Sequence, residues 1–145
     1  MKRSIAVVLV LAASAPAFAD IDVGGNYDVK YEEVGHNCDP PPVALTRSKL
    51  VIATIPKKNA LTVNIDTIPE MAGVPAKNGK INATTIKVMA TTVQGLDAKY
   101  SVAGKVDDGG VLQLVLTAEY QRHDNRKPYC SQSWNVTGLR SDGKK

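Results

Sequence analysis

The chain has 145 residues, 22% of them charged, and carries 18 Lys and Arg against 14 Asp and Glu for a net charge of +4. That length suits one domain, and so small an excess excludes a charge-driven reading as a nucleic-acid or anionic-membrane binder. One Trp, five Tyr and one Phe also leave few platforms on which bases could stack, so no nucleic-acid partner is expected.

The first nineteen residues read as an address. Lys2 and Arg3 make a positive start, Ile5 to Ala13 is a short apolar run, and Ala17-Phe18-Ala19 is a small-x-small cleavage site before Asp20. This is the layout of a secretory signal peptide. The run is too short to span a bilayer, which takes about 20 apolar residues. No Cys follows the cleavage site, so a lipid anchor is not indicated. The short basic start and Ala-rich cleavage box look bacterial and imply the periplasm or export beyond it. Residues 20–145 are then a single β domain, and the loss of Lys2 and Arg3 lowers its net charge from +4 to +2. No later apolar stretch is long enough to predict a membrane span.

Along that domain the pattern is β. Residues 27–31 alternate apolar and polar, the period of a half-buried strand. Residues 48–55 are a more continuous apolar run ended by Pro56. A turn at 56–59 leads to Leu61, Val63 and Ile65, so 48–66 reads as a hairpin. Residues 68–78 hold two prolines and a glycine and read as a connecting loop. Four strands follow. The strand at 84–93 carries Ile86, Val88 and Ala90 on one face, and that at 98–106 carries Tyr100, Val102 and Val106. Asp107-Asp108-Gly109-Gly110 is the clearest hairpin turn. The strand at 111–121 aligns Leu112, Leu114, Leu116, Ala118 and Tyr120. The last, at 129–139, aligns Cys130, Trp134 and Val136. Residues 141–145 are a polar tail.

No amphipathic helix, repeat or second domain shows. Seven clear strands joined by short turns predict an all-β fold, a single antiparallel meander barrel of seven to eight strands, with a β-sandwich as the alternative. An eighth strand has room in 68–82 or in 20–24. The barrel is preferred because long sequential hairpins that close on themselves remove exposed edges.

In an oxidising compartment Cys38 and Cys130, the only two cysteines, pair with each other. A closed meander sets its first and last strands side by side, which suits that pairing. The alternative is a metal held by His36 and Cys38 with His123 or Cys130, or copper with Met71 or Met89. The H-x-C spacing is not a standard zinc pattern, and a disulfide consumes both thiolates. No metal or cofactor is expected.

Catalytic signatures are missing as well. The chain has no G-x-S-x-G elbow, P-loop or G-x-G-x-x-G. Glu32-Glu33 reads as a polar strand end and Asp107-Asp108 as turn chemistry. No enzyme is expected. Asn82-Ala83-Thr84 and Asn135-Val136-Thr137 match the glycosylation pattern and would be acceptors in a eukaryotic secreted protein, but beside a bacterial-type leader they read as chance matches.

Gln132 shares its strand face with Cys130 and Trp134, so it points inward, where an amide must find partners or meet a ligand. Tyr27, Tyr31, Tyr100 and Tyr120 point inward too. Gln132, Trp134, Tyr100 and Tyr120 are therefore the ligand-binding candidates, if the interior is not simply packed. Two surface segments could meet a partner. One is the loop 36–42, with His36 and the stiff run Pro40 to Pro42. The other is the basic stretch 121–128, with Arg122, His123, Arg126 and Lys127. The partner-binding candidates are His36, Pro40, Pro41, Arg122 and Arg126.

Gly25-Asn26-Tyr27 opens the first strand and Arg140 ends the last. This resembles the G-x-W opening and terminal basic residue of lipocalins and other calycins, with Tyr in the Trp position. The resemblance implies a ligand-binding cup whose base is closed by Tyr27 and Arg140, with the ligand at the other end. The expected function is an exported, non-enzymatic binding protein for a small amphipathic or hydrophobic molecule. The alternative is a module that binds another exported protein, such as a periplasmic hydrolase inhibitor presenting the Cys38–Pro42 loop.

Overall fold

The structure is a computed structural model that describes residues 21–75 and 77–141. The leader read at 1–19 and residues 142–145 of the tail lie outside the described residues. Among the described residues nine strands run in chain order: β1 (Gly25–His36), β2 (Arg47–Ile55), β3 (Ala60–Ile65), β4 (Ile68–Gly73), β5 (Lys80–Thr85), β6 (Met89–Ala90), β7 (Leu96–Val106), β8 (Val111–Arg122) and β9 (Pro128–Arg140). Each pairs antiparallel with its neighbours, β9 returns to pair with β1, and β5 pairs with β7. Eight strands thus close into a barrel, with the two-residue β6 as an addition. The sandwich is set aside, since a sandwich keeps two separate sheets and here the ladder returns to its start.

Alternation builds the core. Tyr27, Val29 and Tyr31 of β1, Leu112 to Tyr120 at every second position of β8, and Trp134 and Val136 of β9 point inward, each at most 5% exposed. Burying a side chain of this size contributes roughly 1.5–3 kcal/mol. The hairpin at 107–110 forms as its residues predict. Asp107 Oδ1 accepts from the Gly109 and Val111 amides at 2.9 Å, and Gly110 takes φ +79°, a region that suits glycine.

Two stretches differ from the sequence reading. The predicted loop at 68–78 contains β4. Pro69 sits inside that strand at an irregularity in its register with β3, before the pairing with β5 begins at Met71, so its missing N–H costs no ladder bond. The predicted strand at 84–93 is displaced. The inward face belongs to Ile81, Ala83 and Thr85 of β5, while Ile86 is 77% exposed and Val88 and Ala90 also face solvent. β6 continues the line of β5 beside β7, because Thr84 lies opposite Ser101 and Met89 opposite Ala98. Five residues thus pass three, and the surplus bulges outward. The threonines bridge the break: the Tyr100 amide donates to Thr85 Oγ1 at 3.1 Å, and the Thr84 hydroxyl donates to the Tyr100 carbonyl at 3.2 Å.

The strand directions define two ends. The base gathers 21–24, 56–59, 74–75 with 77–79, and 107–110. The mouth gathers 37–46, 66–67, 86–95 and 123–127. At the base the Tyr27 hydroxyl donates to the Val23 carbonyl at 2.7 Å. The Arg140 guanidinium donates to the Tyr27 oxygen at 2.9 Å and to the Asp22 carbonyl, and it lies over the Tyr27 ring. First and last strands therefore seal this end.

Candidate functional site

The mouth is built around the loop between β1 and β2. Cys38 and Cys130 are joined by a disulfide with S–S 2.05 Å and Cα–Cα 5.2 Å. Asn37 adds two bonds to β9: its amide donates to the Ser131 carbonyl at 3.2 Å, and its Oδ1 accepts from the Ser131 amide at 2.7 Å. His36 Nδ1 donates to the Cys38 carbonyl at 2.9 Å. The Asp39–Pro40 peptide is cis, and Pro40 and Pro41 face solvent.

Beyond the prolines the loop turns inward and meets Gln132, which is fully buried. Gln132 Oε1 accepts from the Tyr120 hydroxyl at 2.6 Å and from the Val43 amide at 3.3 Å. Its Nε2 donates to the Val43 carbonyl at 3.0 Å and to Glu33 Oε1 at 3.2 Å. Two acceptor and two donor positions are thus all used. Val43 and Leu45 pack on the core. Glu33, read from sequence as part of a polar strand end, reaches Gln132 because β1 shifts register between Glu33 and Gly35.

The tyrosines of this end hold their protons. Burial raises Tyr120 well above the usual tyrosine value, and the nearby Tyr100 and Glu33 push it further. Burial likewise raises Tyr100. Burial raises Tyr31 as well, against a hydrogen bond with Ser48 at 2.7 Å. All three are neutral hydroxyls at physiological pH.

Between the inturned loop and the rest of the rim lies a groove of about 670 Å³. Residues 42–44, 67–69 and 90–92 line it, with Tyr100 reaching it from β7. None of these residues is charged. Its polar side chains are the hydroxyls of Thr67, Thr91, Thr92 and Tyr100.

Of the four ligand-binding candidates, Tyr100 borders this groove. Gln132 and Tyr120 stand behind it, bonded to each other and to the loop, and Trp134 is packed in the core at 1% exposure. Tyr120 also reaches a second groove of about 400 Å³ beside Cys130 and Tyr129. The partner candidates His36, Pro40, Pro41, Arg122 and Arg126 are all exposed at the mouth end. Arg122 stacks on the Tyr129 ring, 4.9 Å from its centroid, and His123 Nδ1 donates to Asp97 at 2.9 Å. Among the described residues no three His, Cys, Asp or Glu side chains gather as metal ligands would. None of the described helices is long and apolar enough to cross a membrane.

Sequence reasoning missed Val43, Thr67, Ile68, Thr91 and Thr92. They come from three separate stretches of the mouth, two loops and the turn that leads into β4, and no local pattern announces that those stretches meet. Compared with known proteins, the chain matches no family model, no curated protein and no solved structure at a significant level.

Proposed function

We propose that this chain is an exported, non-enzymatic binding protein, and that its ligand is a small, uncharged, amphipathic molecule held in the mouth groove. The observation that carries the reading is the groove itself. Its volume of about 670 Å³ lies within the range of small-molecule sites, and its walls are apolar with a few hydroxyls. Tyr100, kept protonated by burial, offers an O–H to orient a ligand oxygen. Gln132, Tyr120 and the disulfide hold the loop that forms one wall, so little ordering remains to be done on binding. Export is supported by the leader-like segment 1–19 and by the disulfide, which persists in oxidising compartments.

Titration with Nile red, an uncharged apolar dye, tests this. Fluorescence should rise with the wild-type protein, and Ala44→Arg, which fills the groove with a charged chain, should abolish the rise. Equal binding by Ala44→Arg would sink the proposal. Native mass spectrometry of the purified protein should show a small adduct that leaves on denaturation.

A second reading has its own support. Pro40 and Pro41 stand exposed on a loop fixed by the disulfide, by Asn37 and by Gln132. A rigid, protruding segment is what a protein-binding module, such as a hydrolase inhibitor, presents. A clean apo mass and no response to Nile red would favour it.

A further inference from the structure

The outer wall where β2, β1, β9 and β8 run side by side carries a groove of about 790 Å³ that belongs to neither end. Its chemistry follows from parity. Tyr27, Val29 and Tyr31 point inward on β1, so Asp28 and Lys30 point outward. Leu50 and Ile52 point inward on β2, so Arg47 and Lys49 point outward. The register then sets Asp28 opposite Lys49 and Lys30 opposite Arg47. The first couple is an ion pair at 2.9 Å. The second is two cations, and no carboxylate among the described residues forms an ion pair with either.

Like charges directly opposite each other in an antiparallel ladder repel. A carboxylate at either position would remove the repulsion, as Asp28 does one step along. The other bank is formed by Thr137, which lies opposite Lys30, by Gly138, and by the apolar Val111 and Leu139, the last 61% exposed. A pair of cations with no ion-pair partner, and an exposed leucine one rung along the same trough beside Asp28, are complementary to an anionic chain with apolar side groups.

We infer that this wall docks an extended acidic segment of a partner protein, with carboxylates on Lys30 and Arg47 and an apolar side chain against Leu139 and Val111. The shape favours a segment over a free anion. An isolated anion on an exposed pair gains little in water. The four strands span three spacings, ~14 Å, room for about four extended residues at ~3.3 Å each. The site is independent of the mouth groove, so either can fail without the other.

The test uses the full chain, labelled with 15N, and a short peptide of alternating Glu and Leu followed by amide shifts. Perturbations should concentrate on β1 and β2 around Lys30 and Arg47 and on Leu139. The double variant Lys30→Gln/Arg47→Gln should bind roughly tenfold more weakly, and a Gln/Leu peptide should bind poorly to the wild type. Both substitutions are at exposed positions, and a thermal melt no lower than wild type shows that the fold is kept. Perturbations centred on the mouth, or spread over other basic pairs such as Lys80 and Lys105, would overturn the inference. So would unchanged affinity in the double variant, since the attraction would then be to net charge alone.

Discussion

The two ends of the barrel are closed by different means. At the base, Tyr27 from the first strand and Arg140 from the last meet each other and the main chain of 22–23. A cation over an aromatic ring and a few hydrogen bonds suffice, because short turns leave little to cover. At the mouth a ten-residue loop folds inward and is held by a covalent bond, a buried amide and a strand-like pair of bonds from Asn37. The base spends its polar groups on sealing. The mouth spends them on holding a loop in place and still leaves a groove of about 670 Å³. Binding surfaces concentrate on loops carried by a rigid scaffold, and the proposed site lies at the end built that way.

Removal of the disulfide should separate the ends most. The double variant Cys38→Ser/Cys130→Ser should lose roughly 2–5 kcal/mol of stability in urea unfolding. Nile red binding should fall with it, because one wall of the groove loses its anchor. A variant that unfolds as the wild type does would show that hydrogen bonds alone hold the mouth.

Next come the two polar closures, compared directly. Gln132→Leu keeps the volume but strands the Tyr120 hydroxyl and both main-chain groups of Val43, at a cost of about 2–3 kcal/mol. Arg140→Met at the base withdraws donors from the Tyr27 oxygen and the Asp22 carbonyl, but the Tyr27 hydroxyl keeps its bond to the Val23 carbonyl, so the cost is about 1–2 kcal/mol. Urea midpoints of the two variants give the order. Its reversal would make the base the more demanding closure.

The smallest effect is on pH. Burial raises Tyr31, Tyr100 and Tyr120 above the ordinary tyrosine value of about 10. The folded state therefore holds these protons more tightly than the unfolded chain does. Their contribution to stability is complete below pH ~10 and is lost as pH climbs from there through the raised folded values. Tyr120→Phe should flatten that alkaline decline in melts followed against pH, and a decline as steep as that of the wild type would remove Tyr120 from this account.

Much of the architecture is written locally. β7, β8 and β9 alternate without interruption, the turn between the first two has the residues its geometry demands, and the chain holds just two cysteines to pair. Gln132 is recognisable because its parity contradicts its chemistry. The rest depends on contacts that no local window contains. Pro69 looks like a breaker, yet it occupies a place in β4 where no ladder bond is due. Ile86, Val88 and Ala90 imitate a buried face, yet the bulge turns them to solvent while Thr84 and Thr85 carry the ladder past the break. The mouth groove needs residues 42–44, 67–69 and 90–92 to converge. The Lys30–Arg47 couple likewise needs the register of β1 with β2, which alternation alone does not set.

The seam between β1 and β9 has a kinetic meaning. Every other neighbour in the barrel is joined to its partner by a connection of at most ten residues, but this ladder pairs Tyr27 with Arg140 across nearly the whole domain. Chain entropy opposes such a pairing until the hairpins between are in place, and folds dominated by distant contacts form slowly. During synthesis the closing strand is also the last to appear. Until it arrives, β1 and β8 each carry an open edge, and in that interval the chain is most exposed to pairing with another copy of itself.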